Sequence, residues 1–551
     1  MYVVPGLALA VALLIFAPAW QSWRARTRLL QRIRAGWGHR RDRARDMDAV
    51  ADLFRVRQPT STSLDDRTWN DLLMDDVFAH LDRTESGVGQ QMLYCRLRGT
   101  QAPSSLQAFE ALAHGAGADD QRRERAQMVL ARLGDSSAYF VHRLARPDAL
   151  DPQVWYAAFP AWSIAVVSTL LLGLVWPPAL IAGVFGFVLN RVILVIMGRR
   201  LAGEISWFRQ LGPLLSTARA LTWMCTDETA AITRSLGSDL LALRRLGSIA
   251  RWVSRDPLAS SDLGFLVHEF FNTLFLIDAN ALYFAVRELR ARAAQLLRVI
   301  ETVGEIDAAI AVASFRAEIG TWIRPRFAPT TAPAIFTDLR HPLVDEAVPN
   351  STRLAPPHGV LITGSNMSGK STFLRTVGVN VVLAQTVNTC LASAYHAPVY
   401  QVRSCIGRAD DLMSGKSYYL VEVESVLALV QASEREEPQL LIFDELFRGT
   451  NAVERIAAAV AVLEVLVGGK KPHVVVAATH DGELVDLLDG HYIVCHLGDA
   501  VGPNGLVFDY RLLPGPATSR NAIALLKLNG APKSVVGRAL ELATSLDLQR
   551  R

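Results

Sequence analysis

A short loop about two-thirds of the way along the chain has the residue pattern of a phosphate-binding site. Residues 364–371, GSNMSGKS, match the pattern Gly-x-x-x-x-Gly-Lys-Ser/Thr in full. Gly364 and Gly369 allow backbone N–H groups to turn toward phosphate oxygens, and the helix that follows adds the partial positive charge of its N-terminus. We expect Lys370 to reach the β- and γ-phosphates of a nucleoside triphosphate, and Ser371 to coordinate Mg²⁺.

Acidic residues that can serve such a loop follow a later apolar stretch. Residues 438–444, PQLLIFD, predict a buried strand that ends in Asp444 and Glu445. At the carboxyl edge of a parallel sheet these acids lie beside the phosphates, so Asp444 would complete the Mg²⁺ shell and Glu445 would polarise the attacking water. His480 ends a further apolar run and would sense the γ-phosphate. Each residue alone also fits an ordinary strand end, but their order after the loop favours a shared site.

The segments around the loop predict the elements of an α/β fold. Residues 358–363, HGVLIT, are apolar and β-branched, as in a buried parallel strand. Residues 371–385 have the periodicity of a helix. The chain contains 51 Arg and 6 Lys, and its first Lys is Lys370. A compact ammonium at that position fits contact with phosphate better than the planar guanidinium that the chain uses elsewhere.

Length and composition indicate more than one domain. The chain has 551 residues, more than the roughly 250–300 at which single cores stop growing. The formal net charge is only +4, which predicts no general affinity for polyanions. Half of the residues are hydrophobic, and the mean hydropathy of +0.21 is high for a purely soluble protein. The five cysteines lack CxxC spacing, so we expect free thiols in a reducing cytoplasm.

The first apolar segment predicts an anchor at the start of the chain. Residues 3–20 carry no charge and approach the roughly 20 residues of a spanning helix, so we predict an uncleaved transmembrane anchor at 1–20. Residues 24–45 contain nine Arg and one Asp, and the positive-inside rule places them in the cytoplasm. Binding of this basic stretch to nucleic acid or anionic lipid is the alternative.

The second apolar segment, residues 159–200, predicts a helical hairpin in the membrane. The tripeptide WPP at 176–178 divides it into two arms of about twenty residues, and two Arg at 199–200 follow. Asn190 and Arg191 interrupt the second arm, where an Arg costs about 2.5–3.5 kcal/mol at mid-bilayer. A buried hairpin of a soluble protein is the alternative. Three spans predict a multi-pass protein of the bacterial inner membrane whose nucleotide site faces the cytoplasm.

The loop, the acids and the stretch between them match one family. The chain resembles the MutS family of DNA mismatch-repair ATPases, which belongs to the ABC-type ATPase class. The family patterns TGxNMxGKST, DExGRGT and DDLxxGxSTFMVEM stand here as TGSNMSGKST, DELFRGT and DDLMSGKSYYLVEVE. Residues 340–350, RHPLVDEAVPN, and 516–539 also match. More faintly, residues 81–103 and 300–327 look like the beginning and end of the family's helical lever domain.

The resemblance implies an α/β P-loop ATPase domain of the ABC type, preceded by an all-helical lever-like region with transmembrane helices. The implied segments are a transmembrane anchor at 1–20, a basic cytoplasmic linker at 21–66, the first part of the lever-like region at 67–150, the membrane hairpin at 151–199, the second part of the lever-like region at 200–334, and the ATPase domain with C-terminal dimerisation helices at 335–551.

The resemblance also implies a homodimer with two composite sites that use ATP and Mg²⁺. Ser417 aligns with the signature serine that reaches the partner's ATP, although a plain helix N-cap also explains its Ser-Gly-Lys-Ser turn. The implied catalytic residues are Glu445, His480 and Lys370, and the implied metal ligands are Ser371 and Asp444. The implied nucleotide contacts are Gly364, Ser365, Asn366, Met367, Ser368, Gly369, Lys370, Ser371, Thr372 and Ser417.

Three departures from the family bear on what the ATPase acts on. Only residues 21–66 lie where the family carries its mismatch-reading domain, and the sole Phe-x-Glu triplet, Phe443 to Glu445, is already used in the acidic strand. Residues 200–299 are short for lever helices together with a DNA-gripping clamp. The aromatic residue that stacks on adenine in the family is replaced at 347–348 by Ala-Val.

Three functions are consistent with these features. The first is a membrane-anchored ATPase that clamps duplex or branched DNA, in or near mismatch repair. The second is a mechanoenzyme that binds no DNA and uses the ATP-driven dimer to move the membrane hairpin or a partner protein. The third is an ATPase that gates the assembly of a scaffold.

Overall fold

The described residues of the computed structural model form two compact units. The structure describes residues 20–60, 62–146, 157–200, 202–224, 230–253, 262–365, 368–407, 418–468, 473–502, 505–517 and 521–550. The described residues of 1–58, 81–95 and 107–318 form the first unit, here the helical unit, and those of 59–80, 96–106 and 319–551 form the second, the sheet unit. Residues 59–80 and 96–106 thus group with the C-terminal part of the chain.

Helices make up most of the described residues as far as Ile319, as predicted for the lever-like region. They are α1 (20–35), α2 (Met47–Arg57), α3 (Asp66–Asp71), α4 (Met74–Leu81), α5 (Gly87–Leu97), α6 (Pro103–Ala118), α7 (Asp120–Leu130), α8 (Phe159–Leu172), α9 (Pro177–Arg200), α10 (Ala202–Leu221), α11 (Ala230–Ala242), α12 (Arg244–Val253), α13 (Asp262–Phe275) and α14 (Ile277–Ile319). The last of these bends at Arg292, whose φ of −127° is not helical.

The basic stretch at residues 24–45 forms ion pairs inside the helical unit. Arg43 and Arg45 each contact the carboxylate of Asp82 at 2.8 Å, and the Asp82 side chain is fully buried. Burial alone would raise the pKa of Asp82, but the charge and hydrogen bond of Arg43, with the bond from Arg45, outweigh it and lower the pKa. Two further arginines of the stretch pair with the buried Glu85. These arginines therefore compensate buried carboxylates, a role that charge counting does not reveal.

The apolar hairpin at 159–200 is present, but its arms differ in length. Among the described residues, one helix is long and apolar enough to cross a membrane, Pro177–Met197 within α9. The other arm, α8, has 14 residues and measures about 21 Å, less than the roughly 30 Å of a hydrocarbon core. The structure therefore does not give the hairpin the two spanning arms that we expected from composition. The predicted anchor at 1–20 lies outside the described residues except for its last residue.

In its described residues, the sheet unit contains two sheets and six further helices. The strands are β1 (Arg326–Phe327), β2 (Ala334–Leu339), β3 (Asn350–Leu354), β4 (Gly359–Thr363), β5 (Ala394–Ala397), β6 (Gln401–Ile406), β7 (Gln439–Asp444), β8 (Val474–Ala478), β9 (Tyr492–Gly502) and β10 (Gly505–Pro514), and the helices are α15 (Lys370–Val387), α16 (Tyr418–Ser433), α17 (Ala452–Gly468), α18 (Glu483–Leu487), α19 (Asn521–Leu528) and α20 (Lys533–Arg550). The larger sheet has the order β10-β9-β4-β8-β7-β6, and the smaller has the order β1-β5-β2-β3.

The larger sheet is parallel apart from its edge strand and carries helices on both faces. The neighbours from β9 to β6 pair in parallel, and β10 pairs antiparallel with β9. All six residues of β7 are buried, which explains its unbroken apolar run. Leu441 and Phe443 pack into a core with residues of α16 and α17. Ile442 points to the opposite face, where Gly378 of α15 lies against it. This is the two-faced arrangement that an α/β nucleotide fold requires.

Candidate active site

The register of the central strands brings the predicted loop and acids to one edge of the sheet. Ile362 of β4 and Asp444 of β7 both pair with Ala478 of β8, so the three strands end level with one another. Beyond the strands, the Glu445 N–H donates to the Ala478 carbonyl at 2.9 Å, and the Thr479 N–H donates to the Ile362 carbonyl at 2.9 Å. The loop after β4 therefore lies beside the residues that follow β7 and β8, as the sequence predicts.

Two glycines shape the loop in the way its motif requires. Gly364 has φ +145° and Gly369 has φ +97°, values that side chains rarely adopt. A Cβ on Gly364 would lie 2.8 Å from Ser368 Oγ, and one on Gly369 would lie 3.1 Å from a ring carbon of Tyr510. The predicted contacts Asn366 and Met367 lie outside the described residues.

Lys370 is the buried cation of the site. Its side chain is 5% exposed, and Nζ donates to the carbonyl oxygens of Gly364 at 2.9 Å and Ser365 at 2.8 Å. Its third neighbour is the Glu445 carboxylate at 3.9 Å. The ammonium is thus surrounded by oxygen atoms at the position where the motif places phosphate oxygens, which fits its predicted contact with the β- and γ-phosphates.

Ser371 and Asp444 form a pair of oxygen donors suited to Mg²⁺. Ser371 Oγ donates to Asp444 Oδ2 at 2.5 Å, which joins the first turn of α15 to the end of β7. The other oxygen, Asp444 Oδ1, is buried and has no hydrogen-bond partner in the described part of the chain. Mg²⁺ takes few ligands from protein and the rest from water and phosphate. A buried carboxylate oxygen without a partner beside a hydroxyl therefore fits this ion.

Glu445 lies at the centre of a group of basic side chains. Its Oε2 is 2.8 Å from Arg448 Nε and 3.2 Å from His480 Nδ1, and its side chain is 10% exposed. Its backbone has φ +52°, a left-handed conformation forced by the tight turn after β7. The turn aims the carboxylate back toward Lys370. His480 is thus brought to the site as predicted, and it contacts the acid directly.

Glu422 is a residue that sequence reasoning missed. Its Oε1 accepts hydrogen bonds from the backbone N–H groups of Phe447 at 2.6 Å and Arg448 at 3.4 Å. Burial raises the pKa of Glu422, and these backbone hydrogen bonds oppose that rise. Phe447 has φ +59° at the position where the family pattern DExGRGT has glycine. The presence of Phe447 in place of the family's glycine was the sequence feature that indicated a need for further hydrogen bonds to stabilise this turn.

Asp481 and Arg455 form a second pair that the motifs did not single out. Arg455 donates to both carboxylate oxygens of Asp481 at 3.0 and 2.8 Å. His480 Nε2 is 3.7 Å from the same carboxylate. The imidazole therefore lies between two carboxylates, those of Glu445 and Asp481, which restricts how its ring turns at the edge of the site.

Tyr510 supplies an aromatic ring next to the loop. The residue is 45% exposed, and its ring lies close to Gly369 and stacks on Phe508 at 5.8 Å between centroids. Asn350 holds this strand segment, because its side chain donates to the Tyr510 carbonyl at 2.9 Å and accepts from the Leu512 N–H at 2.7 Å. Asn350 belongs to residues 340–350, the stretch that lacks the family's adenine-stacking aromatic residue. Its hydrogen bonds therefore link this stretch to the strand segment that carries Tyr510.

Two further predicted nucleotide contacts are Thr372 and Ser417. Thr372 lies exposed on the first turn of α15. Ser417 lies outside the described residues. In the described part of the chain, no cluster of three or more His, Cys, Asp or Glu side chains has the geometry of a metal site.

Comparison with known proteins identifies the C-terminal part of the chain. Residues 360–547 match MutS domain V. The DNA mismatch repair protein MutS of Thermus aquaticus is 35% identical over 273 residues, which are 49% of this chain and 33% of that protein. The protein of the same name from Lactobacillus acidophilus is 36% identical over 248 residues, which are 42% of this chain and 28% of that protein.

These matches leave much of each relative without a counterpart. The chain spans about a third of the length of the curated relatives that it matches, including MutS of Thermus thermophilus at 34% identity over 274 residues. MutS family proteins are ATPases, and the matched region contains every described residue of the phosphate loop and the two acids. The C-terminal half of this chain is therefore similar to MutS proteins, and residues 360–547 match MutS domain V.

Proposed function

We propose that the sheet unit binds ATP with Mg²⁺ and hydrolyses it. The observation that carries this proposal is the convergence of Lys370, Ser371, Asp444 and Glu445 at one sheet edge, with a carboxylate oxygen of Asp444 left without a partner among the described residues. Ser371 and Asp444 would hold the metal ion, which supplies charge neutralisation between the phosphates when bound. Lys370 would exchange the carbonyls of its own loop for phosphate oxygens.

Glu445 is the residue that would orient and deprotonate the attacking water. It is close enough to Lys370 to face the terminal phosphate, and its carboxylate is fixed from the other side by Arg448 and His480. A positioned base of this kind contributes about 10²- to 10⁴-fold to a rate. The ring of Tyr510 would face the base of the nucleotide and replace the aromatic residue that is missing at 347–348.

The proposed active form is a homodimer with two shared sites. This rests on the alignment of Ser417 with a signature serine that, by resemblance, reaches the nucleotide of the partner. A mixture of Ser417→Ala and Lys370→Ala proteins tests it. If the sites are shared, one of the two sites in each mixed dimer carries both changes and the other carries neither, so activity reappears on mixing. Two inactive proteins that stay inactive when mixed, at concentrations where dimers form, would rule out shared sites.

The proposed target of the ATPase is DNA, in a role related to mismatch repair. The support is similarity to proteins named DNA mismatch repair protein MutS, which covers 49% and 42% of this chain in two of the matches. ATP hydrolysis by the full chain, measured with duplex and branched DNA at about 50 and 200 mM salt, tests the proposal. We expect stimulation that is lost at the higher salt, because phosphate contacts release counterions. Equal turnover with and without DNA, together with no retention of DNA, would contradict it.

Attachment to the bacterial inner membrane, with the ATPase in the cytoplasm, is the second part of the proposal. The supporting observation is the hairpin of α8 and α9. Only 22% of the most apolar 18-residue stretch of α9 is buried inside the protein. An ATP-driven device that moves the hairpin or a membrane partner, without DNA, is the alternative that this surface favours. The DNA experiment separates the two.

A further inference from the structure

The hairpin of α8 and α9 ends in an apolar, exposed tip. Leu174 is 82% exposed, Val175 is 86% exposed and Trp176 is 58% exposed. A hairpin whose tip emerges into water on the far side of a membrane normally carries polar turn residues there. Here the tip is as apolar as the arms, so its chemistry is that of a segment that stays in hydrocarbon.

The backbone of this tip leaves no donor for water. The N–H groups of residues 173–176 donate to the carbonyls of residues 169, 171 and 172 at 2.9–3.2 Å. Pro177 and Pro178 have no N–H, and the Ala179 N–H donates to the Trp176 carbonyl at 3.0 Å. Backbone N–H and C=O groups within a bilayer must be satisfied inside the protein, and the N–H groups of this turn are satisfied in this way.

Small residues let the two arms pack at van der Waals distance. A Cβ on Gly173 would lie 2.8 Å from the backbone of Leu180, and one on Gly183 would lie 2.7 Å from the Leu170 side chain. Close approach at small residues is the way in which helices associate in lipid, where no hydrophobic force drives them together. The packing thus agrees with the exposure of the outer faces.

Asn190 and Arg191 form a polar layer away from the tip of the hairpin, and both are bonded there. Asn190 is fully buried, accepts from Trp162 Nε1 at 2.7 Å and donates to the Thr273 carbonyl of α13 at 2.9 Å. Arg191 forms an ion pair with Glu269 of α13. The two residues that interrupt the apolar sequence of α9 therefore meet their partners on a helix that the sequence assigned to the lever.

The burial pattern of α13 is the reverse of that in a soluble helix. It buries Asn272, which bonds to Asp278, and Thr273, whose carbonyl accepts from Asn190 of the hairpin, at 5% and 3% exposure. Five of its large apolar residues are exposed by between 40% and 63%, and they are Leu266, Val267, Phe270, Phe271 and Phe275. Burying amides while exposing phenylalanines is unfavourable in water and favourable in lipid.

The depth that the paired arms can reach follows from helix geometry. The apolar run of α9 continues past Asn190 to Met197, but α8, the other arm, has 14 residues and measures about 21 Å. A hydrocarbon core is about 30 Å thick. With the start of α8 at one membrane surface, where Trp162 bonds to Asn190, the tip therefore ends inside the core and does not reach the opposite side.

We propose that α8, α9 and α13 form a lipid-embedded unit that enters a phospholipid bilayer from one side only. The hairpin tip ends in the hydrocarbon, the polar layer around Asn190 and the Arg191–Glu269 pair lie near the headgroups, and the aromatic face of α13 contacts acyl chains. This inference rests on the membrane attachment proposed above. It differs from the sequence prediction in that neither arm of the hairpin crosses the bilayer.

The test places an environment-sensitive fluorophore at the tip of the full chain. A Leu174→Cys protein is labelled with NBD, with unsubstituted protein as the labelling blank, and is bound to phosphatidylethanolamine–phosphatidylglycerol vesicles that contain doxyl lipids. The matched control is Leu241→Cys, at a site in α11 that is 74% exposed. We expect position 174 to be quenched more by a doxyl group at acyl carbon 12 than at carbon 5, and position 241 by neither.

Three results would overturn the proposal, and each has a distinct meaning. Labelling of position 174 in spheroplasts by an impermeant maleimide from outside would show a crossing hairpin. A label that stays in water while the protein remains on vesicles would refute insertion and leave attachment standing. A label shielded from water but unquenched by doxyl lipid would show a second protein on this face. ATP hydrolysis in detergent, measured on the same samples, reports separately on folding and on the proposed enzyme.

A second pair of variants tests whether the apolar tip is what inserts. Val175→Arg places a charge at the tip, and Leu241→Arg places the same charge on the exposed control site. We expect the first change to reduce the doxyl quenching of a label at position 174 several-fold relative to the second, with equal ATP hydrolysis in detergent, while the predicted anchor at 1–20 keeps both variants on the membrane. Equal quenching in the two variants would contradict insertion of the tip.

Discussion

Replacing Glu445 with glutamine separates binding of the nucleotide from its hydrolysis. The amide keeps the volume of the side chain, which is 10% exposed between Lys370, Arg448 and His480. It removes the negative charge and the ability to accept a proton from water. Loss of a positioned base lowers the rate about 10²- to 10⁴-fold, which is roughly 3–5 kcal/mol in the activation barrier.

The same change is expected to leave ATP binding intact or to strengthen it. Lys370 Nζ lies 3.9 Å from Glu445, and at an effective dielectric constant near 20 this attraction is at most about 4 kcal/mol. Glutamine removes that attraction and also the repulsion between the carboxylate and the γ-phosphate. Lys370 is then free to bind phosphate, so the dissociation constant for ATP should not rise.

The assay is single-turnover hydrolysis of radiolabelled ATP together with equilibrium binding of a fluorescent analogue. Glu464→Gln, on the exposed face of α17, removes one carboxylate far from the site and is the matched control. We expect wild-type kinetics for this control. Turnover of Glu445→Gln within about threefold of wild type would refute the assigned role, and a large loss of affinity would show that the carboxylate organises the pocket instead.

Three further predictions concern residues that the motifs did not identify or that lie far from the site. Tyr510→Ala should weaken ATP binding by about 5- to 150-fold, since stacking of a base on an aromatic ring contributes about 1–3 kcal/mol, and a fluorescent ATP analogue measures this. Glu422→Ala should lower kcat about tenfold with little change in ATP affinity. The change leaves the Phe447 N–H unpaired in the turn that carries Glu445, and an unpaired buried N–H costs about 1–3 kcal/mol. Steady-state kinetics separate the effect on kcat from the effect on ATP affinity. Burial raises the pKa of Asp307 from 3.8 to about 7, so the folded form holds a proton that the unfolded form loses. Stability should therefore fall by at most about 4 kcal/mol as pH rises from about 4 to 7, and Asp307→Asn should remove that part of the slope in urea unfolding.

The central sheet and most of the site follow from local sequence signals. Apolar runs of five or six residues that end in small or acidic residues predicted β4, β7 and β8, because strands buried on both faces have no polar alternation. Since the carboxyl ends of parallel strands share one edge, Lys370, Asp444 and His480 were expected to lie together without any knowledge of the structure. The structure places His480 in contact with Glu445, as this reasoning expects.

Other features depend on contacts between distant segments and carry no local signal. In the sequence, Arg43 and its neighbours resemble a cluster of charges on the surface. In the structure, Asp82 is buried and forms ion pairs with Arg43 and Arg45. Asn190 and Arg191 read as defects in a membrane span, yet α13 supplies partners for both. In each case the partner lies tens of residues away, and only the folded chain shows which polar residues meet.

The length of the first hairpin arm was also misjudged, for a physical reason. Composition gave two arms of similar hydrophobicity around the WPP triplet. The structure ends α8 at Leu172, and Gly173 begins a turn that is stabilised by its own backbone hydrogen bonds. Hydropathy responds to composition and does not reveal where a helix stops.

Release of phosphate from ATP by the full chain, with and without Mg²⁺ and beside the Lys370→Ala variant, tests the central claim most directly. We expect Mg²⁺-dependent hydrolysis by the unsubstituted protein, and neither hydrolysis nor nucleotide binding by a variant that is folded by circular dichroism. Folded protein that does not bind ATP, or a Lys370→Ala variant that turns over at the wild-type rate, would contradict the assignment of this sheet edge as an ATP site.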